Sequence, residues 1–194
     1  DRVHLLFQRY GVLFRELLQR ELPTLQWRQV FRTLRLMELS GEALGGYFFQ
    51  DIPGLQFTSP QAFRQLQRKL PEDVFWLNAA DPASLSGLGI KAITSRLPRR
   101  LPGNYLVMHG NRLVMTVQRL GRELEFQVPA DDPELPRYLG VLRHLLYRES
   151  NPVKRLELEL INGDSALASP YLDIIAHSFD VIRDHRKAYL QRQL

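Results

Sequence analysis

The chain has 194 residues, is 44% hydrophobic and carries a formal charge of +5. That length allows one large domain or two small ones with a proper core, and the basic balance favours anionic partners. Without cysteine it has no disulfide, thiolate zinc site or cysteine nucleophile, and no apolar run reaches the roughly 18 residues needed to span a bilayer. No signal-peptide pattern opens it, and Asp1 in place of an initiating Met reads as a piece of a longer protein.

In chain order, Asp1 caps a short helix that ends at Gly11. Leu13–Leu22 reads as a second helix, stopped by Pro23. Thr24 then caps a third, running to Ser40 and ended by Gly41. In this helix Trp27, Val30, Phe31, Leu34 and Met37 recur at helical spacing and predict one buried stripe. Arg28, Arg32 and Arg35, four and seven residues apart, share another face. A helix apolar on one side and arginine-bearing on another suits phosphates lining a groove. The same arginines also suit a plain solvated face, since Arg is a good helix former. A hairpin follows, with Tyr47-Phe48-Phe49 as strand, Asp51-Ile52-Pro53-Gly54 as turn and Leu55–Phe57 as return. Ser59 caps a fourth helix with Pro60 in its first position and Ala62, Phe63, Leu66 and Leu70 on its apolar side. Three helices, a hairpin and a fourth helix start, in that order, predict a winged helix over residues 1–71.

Residues 72–194 have a different rhythm. Asp73–Leu77 is a short strand. Residues 84–103 are rich in Gly, Pro, Ser and Arg and read as a basic, partly mobile loop. A meander follows in three strands, Asn104–Met108, Arg112–Arg119 and Arg122–Val128, with tight turns at His109-Gly110-Asn111 and Leu120-Gly121. Pro133 opens a helix to about Glu149. Arg155–Ile161 alternates Leu with Glu as a half-buried strand, Asn162-Gly163 turns, Ser169-Pro170 starts a last helix, and Val181–Leu190 reads as a final strand. The expected fold is therefore α+β: a winged helix, then a mainly β, barrel-like module with two helices. From Lys91 to Arg122 there are seven Lys or Arg and no Asp or Glu. Such a stretch repels itself unless anions neutralise it, which points Arg96, Arg99 and Arg100 towards phosphates.

Few residues suggest catalysis. Gly87-Leu88-Gly89-Ile90-Lys91 has the wrong spacing for a nucleotide-binding loop, and no ATPase motif is present. The five histidines show no ligand spacing, so no metal site is expected. Glu157 and Glu159 read as solvated alternation on a strand rather than a catalytic pair. Asp184, in Asp184-His185-Arg186-Lys187, is a carboxylate among basic groups: a candidate for acid/base work on bound DNA, or part of a surface salt-bridge network. Trp27, Trp76 and Tyr47 to Phe49 are candidates for base stacking or for core packing, with Tyr47 at the wing the most open of them.

Several short motifs fall in a characteristic order: Arg9-Tyr10-Gly11, Glu38 to Gly41, Gly45 to Phe49, Gln56 to Pro60, Ala79 to Pro82, Ile161-Asn162-Gly163 and Ser169-Pro170. Together they resemble the C-terminal region of Lhr (large helicase-related) proteins, a family of superfamily-2 helicases. The resemblance implies a winged helix and a β-barrel-like module placed after RecA-like motors that hydrolyse ATP with Mg²⁺ and move along single-stranded DNA. The parent protein would be an ATP-dependent helicase, a cytoplasmic hydrolase concerned with DNA repair. This chain, needing no cofactor itself, would guide or clamp single-stranded DNA or an RNA–DNA hybrid for the motor. Two alternatives remain: a docking module for the motor domains or for a homo-oligomer, and a glycosylase-like repair domain. The second follows from a likeness of the family module to bacterial DNA glycosylases of the AlkZ kind, whose Gln-x-Gln motif has only weak echoes at Gln65-Leu66-Gln67 and Gln191-Arg192-Gln193.

Overall fold

Gly11, at φ +71°, turns the chain out of its first helix and straight into a strand. The computed structural model describes residues 1–69, 71–90, 92 and 97–192. Leu70, Lys91, Arg96 and Gln193 lie outside them. The described residues form two compact units. One comprises Asp1–Lys69 and Leu88–Ser95; the other comprises Leu70–Gly87 and Arg96–Leu194.

The first unit opens with α1 (Arg2–Tyr10), whose Val3, Leu6 and Phe7 are buried. β1 (Val12–Leu13) follows, where a helix over Leu13–Leu22 was expected. Leu13 instead pairs with Phe57, and only Leu17–Arg20 winds into one 3-10 turn. Long-range pairing and burial override local helical periodicity there. Pro23–Leu25 is a second 3-10 turn, so Thr24 lies inside it, and Gln26 takes the N-cap position of α2 (Trp27–Leu39) without a side-chain capping bond. β2 (Leu44–Gly46) and β3 (Gln56–Thr58) complete an antiparallel sheet in the order β1-β3-β2. α3 (Pro60–Leu66) begins as expected, with the Ala62 amide donating to Ser59 Oγ at 3.1 Å. Ser59→Ala should cost this unit about 1 kcal/mol, read from the urea unfolding midpoint.

The Arg9-Tyr10-Gly11 motif has a local physical role. Arg9 and Tyr10 both donate to Glu21 Oε1, Arg9 at 2.5 Å, which ties α1 to the segment after the first 3-10 turn. The Tyr10 hydroxyl, reinforced by the Arg9 guanidinium, holds the Glu21 carboxyl below its ordinary value of 4.5. A lowered carboxyl stabilises the fold above its unfolded pKa and loses that contribution as pH falls through the folded one. Glu21→Gln should therefore destabilise the chain at neutral pH. The gap to wild type in urea midpoint should shrink steadily once the pH drops below 4.5.

In the second unit β5 (Tyr105–His109), β6 (Arg112–Gln118) and β7 (Glu123–Phe126) form the predicted three-stranded meander, and β4 (Val74–Asn78), expected only as a separate short strand, extends it by pairing with β5. β8 (Leu156–Leu158), β9 (Leu160–Ile161) and β10 (Asp164–Ser165) come next. The single strand expected over Arg155–Ile161 is thus split between two sheets. β9 joins β7 in parallel, whereas β8 pairs with β12 (Ala188–Gln191). The expected final strand is likewise a hairpin of β11 (Asp180–Arg183) and β12, turning at residues 184–187. The chain makes a six-stranded sheet, β10-β9-β7-β6-β5-β4, and a three-stranded sheet, β11-β12-β8. No closed barrel exists among the described residues: β4 and β10 are opposite edges of an open sheet. Helices do the covering that closure would have done. α4 (Leu135–Tyr138), α5 (Gly140–Tyr147) and α6 (Pro170–Ala176), with Leu139 at the junction of the first two, bury Leu135, Leu139, Leu142, Leu145, Leu172 and Ile175 in one core with Val107, Met115 and Leu124 of the sheet.

Candidate nucleic-acid interface

α2 forms because Val30, Leu34 and Met37 give it a buried stripe against α1 and the sheet residue Phe57. Its other side presents Arg28, Arg32 and Arg35 to solvent, as their spacing predicts. Arg35 donates to Glu38 and is partly neutralised. Arg28 and Arg32 have no carboxylate partner among the described residues. Phe31, expected in the buried stripe, is 37% exposed and sits at its margin. Leu36 and Leu39 are also exposed on this helix, Leu39 by 82%.

Beyond the β2–β3 ladder, one side chain ties the wing together. Gln56 is fully buried; its Oε1 accepts from the Phe48 and Phe49 amides, both at 2.9 Å. Its Nε2 donates to the carbonyls of Phe49 and Ile52, both at 3.0 Å. These four bonds replace a strand ladder, which is why Tyr47-Phe48-Phe49 lies beyond β2 rather than within it. Phe48 packs on Phe63 and Phe49 on Phe14, whereas Tyr47 is 78% exposed at the wing. Beside α2, Arg15, Leu18, Gln19, Gln26, Trp27, Arg28 and Phe31 line an open cleft of about 470 Å³. Arg15 and Gln19 were not visible as site residues in the sequence, because a helix had been expected where the chain makes a strand and a 3-10 turn.

The remaining predicted residues belong to the second unit. Arg99 and Arg100 are exposed. The Arg99 carbonyl accepts from Asn104 Nδ2 at 2.9 Å, and buried Asn104 also accepts from the Arg119 amide at 2.9 Å. Part of the 84–103 stretch is packed rather than free: among its described residues Ser84, Ser86, Ile90 and Pro98 are buried. Arg96 lies outside the described residues. Further along the acid-free stretch, Arg119 pairs with Glu123 at 2.6 Å, and Arg122 lies within 4.0 Å of both Glu157 and Glu159. Glutamates later in the chain, Glu123, Glu157 and Glu159, therefore supply the neutralising anions for this part of the stretch. Glu157 also accepts from Lys187 at 2.8 Å, which holds its carboxyl low and the Lys187 ammonium high. Asp184 sits at the exposed β11–β12 turn, its Oδ1 accepting from the His185 amide at 2.7 Å. Among the described residues no cluster of three His, Asp or Glu is placed to hold a metal ion. No helix there is long and apolar enough to cross a membrane.

Helix, strand, helix, two-stranded wing and helix, with arginines on the exposed side of the helix before the wing, define a winged-helix domain. Residues 1–74 match the family model for the winged-helix domain of the large helicase-related protein, Lhr. The match ends before Ala79–Pro82 and the later motifs. A comparison with curated proteins gave no match.

Proposed function

We propose that this chain is a non-motor, nucleic-acid-binding region of an ATP-dependent Lhr-type helicase. On this reading it grips single-stranded DNA, or the DNA strand of an RNA–DNA hybrid, for RecA-like domains that bind ATP and Mg²⁺ elsewhere in the same protein. The observation that carries it is the pair Arg28 and Arg32: exposed, without acidic partners among the described residues, and on the solvent face of α2 in a domain that matches a helicase-related family. Arginines that contact phosphates add affinity without reading sequence. Arg99 and Arg100, exposed in the second unit, and Tyr47 on the wing are further contacts on this reading. Fluorescence anisotropy of a short labelled single strand, titrated with salt, tests it. Binding whose affinity falls steeply with salt supports the proposal; no binding at low salt removes it.

A second reading has its own observation. Leu36 and Leu39 are exposed apolar side chains on α2 itself, and they favour docking of another protein, either the motor domains or a second copy of the chain. Leu39→Lys would break such a contact, whereas binding to a strand would survive it.

A further inference from the structure

We infer that the cleft beside α2 is a stacking site for one unpaired nucleobase, with Trp27 and Phe31 as the platform and Arg15 and Arg28 holding the adjoining phosphates. The inference rests on the nucleic-acid reading above and adds a preference for single strands over duplex.

Trp27 and Phe31 are one helical turn apart on α2, their rings 5.3 Å apart and tilted by 44°. Both rest on Phe57, at 6.0 and 6.1 Å, and Phe57 is fully buried. The exposed aromatic surface is therefore backed by the domain core and cannot fold away. Leu18, also fully buried, lies beneath the cleft and supports its floor. The charged residues lining the cleft are Arg15 and Arg28, both cationic and both exposed, so the site suits an anion with an apolar face. Gln19 and Gln26 supply amides for base edges; Gln26 Nε2 donates to the Glu21 carbonyl at 3.2 Å, which orients that side chain. A volume of about 470 Å³ lies within the range of sites that hold small ligands. A nucleotide combines a flat π face with a phosphate and meets all of these features. Within a duplex both faces of a base are already stacked, so only an unpaired base can use the platform.

The test compares three labelled probes of equal length by anisotropy: oligothymidylate, an abasic deoxyribose-phosphate strand, and a blunt duplex. The thymidylate strand should bind about tenfold more tightly than the abasic one. Phe31→Leu, which keeps an apolar side chain but removes one of the two rings, should reduce that difference, and Phe31→Tyr should retain it. The intrinsic fluorescence of Trp27, read in a Trp76→Phe background because the chain has two tryptophans, should be quenched by thymidylate and not by the abasic strand. Equal binding of thymidylate and abasic strands, with no quenching, overturns the stacking site while leaving arginine-mediated binding intact. No binding of any probe overturns the nucleic-acid reading itself.

Discussion

Gln56→Leu should lower the stability of the chain by about 3 kcal/mol, one of the largest effects of any single substitution outside the apolar core. A leucine of comparable volume occupies much of the space but strands four backbone groups: the amides of Phe48 and Phe49 and the carbonyls of Phe49 and Ile52. Each polar group left buried without a partner costs about 1–3 kcal/mol, and the outer part of the wing can recover some of this from water. Gln56→Glu offers a sharper comparison. It keeps the acceptor for the two amides but sets a carboxylate against two carbonyl oxygens. Urea unfolding measures both variants. A loss under about 1 kcal/mol for Gln56→Leu would mean that water satisfies the wing without the side chain. Where the loss is large, the wing bearing Tyr47 should also loosen, and strand affinity should fall in conditions where the rest of the domain stays folded.

Arg28→Glu together with Arg32→Glu should weaken binding to a single strand by more than tenfold at low salt. It should also flatten the salt dependence by about one unit of log–log slope per arginine. Arg35→Glu should do less, because Arg35 is already engaged with Glu38. The slope separates the two uses of this helix. If the double reversal leaves strand affinity and slope unchanged, the arginines are plain surface, and Leu36 and Leu39 make α2 a protein-docking face.

The parts of the fold legible in the sequence are those where local chemistry decides. Gly11 ends α1 at a positive φ that other residues resist, Ser59 and Pro60 start α3, and Asn162-Gly163 turns between β9 and β10 with both φ values positive. The parts misread are those where distant partners decide. Leu13 has helical neighbours, yet pairs with Phe57. Tyr47-Phe48-Phe49 has strand composition, yet is tied by the side chain of Gln56. Leu156 to Ile161 alternates like one strand, yet serves two sheets. The barrel was expected because several strands must hide their edges and faces, and no local signal shows that helices cover the face instead. For the candidate site, spacing alone placed Arg28, Arg32 and Arg35 outward. The exposure of Phe31, and its grouping with Arg15 and Gln19, depended on the path of residues 12–25, which the periodicity misassigned.

Ile90 carries a consequence for biosynthesis. It is buried with Val12, Phe14 and Ile52, and Leu88 packs beside it, so the first unit takes part of its core from beyond β4. A chain emerging from the ribosome cannot finish this domain when residue 74 appears. It must wait for Ile90, and until then Val12, Phe14 and Ile52 lack one of their apolar partners. The order of synthesis and the order of folding are therefore out of step at this point, and any cut between β4 and Leu88 would leave the winged helix without its last apolar contact.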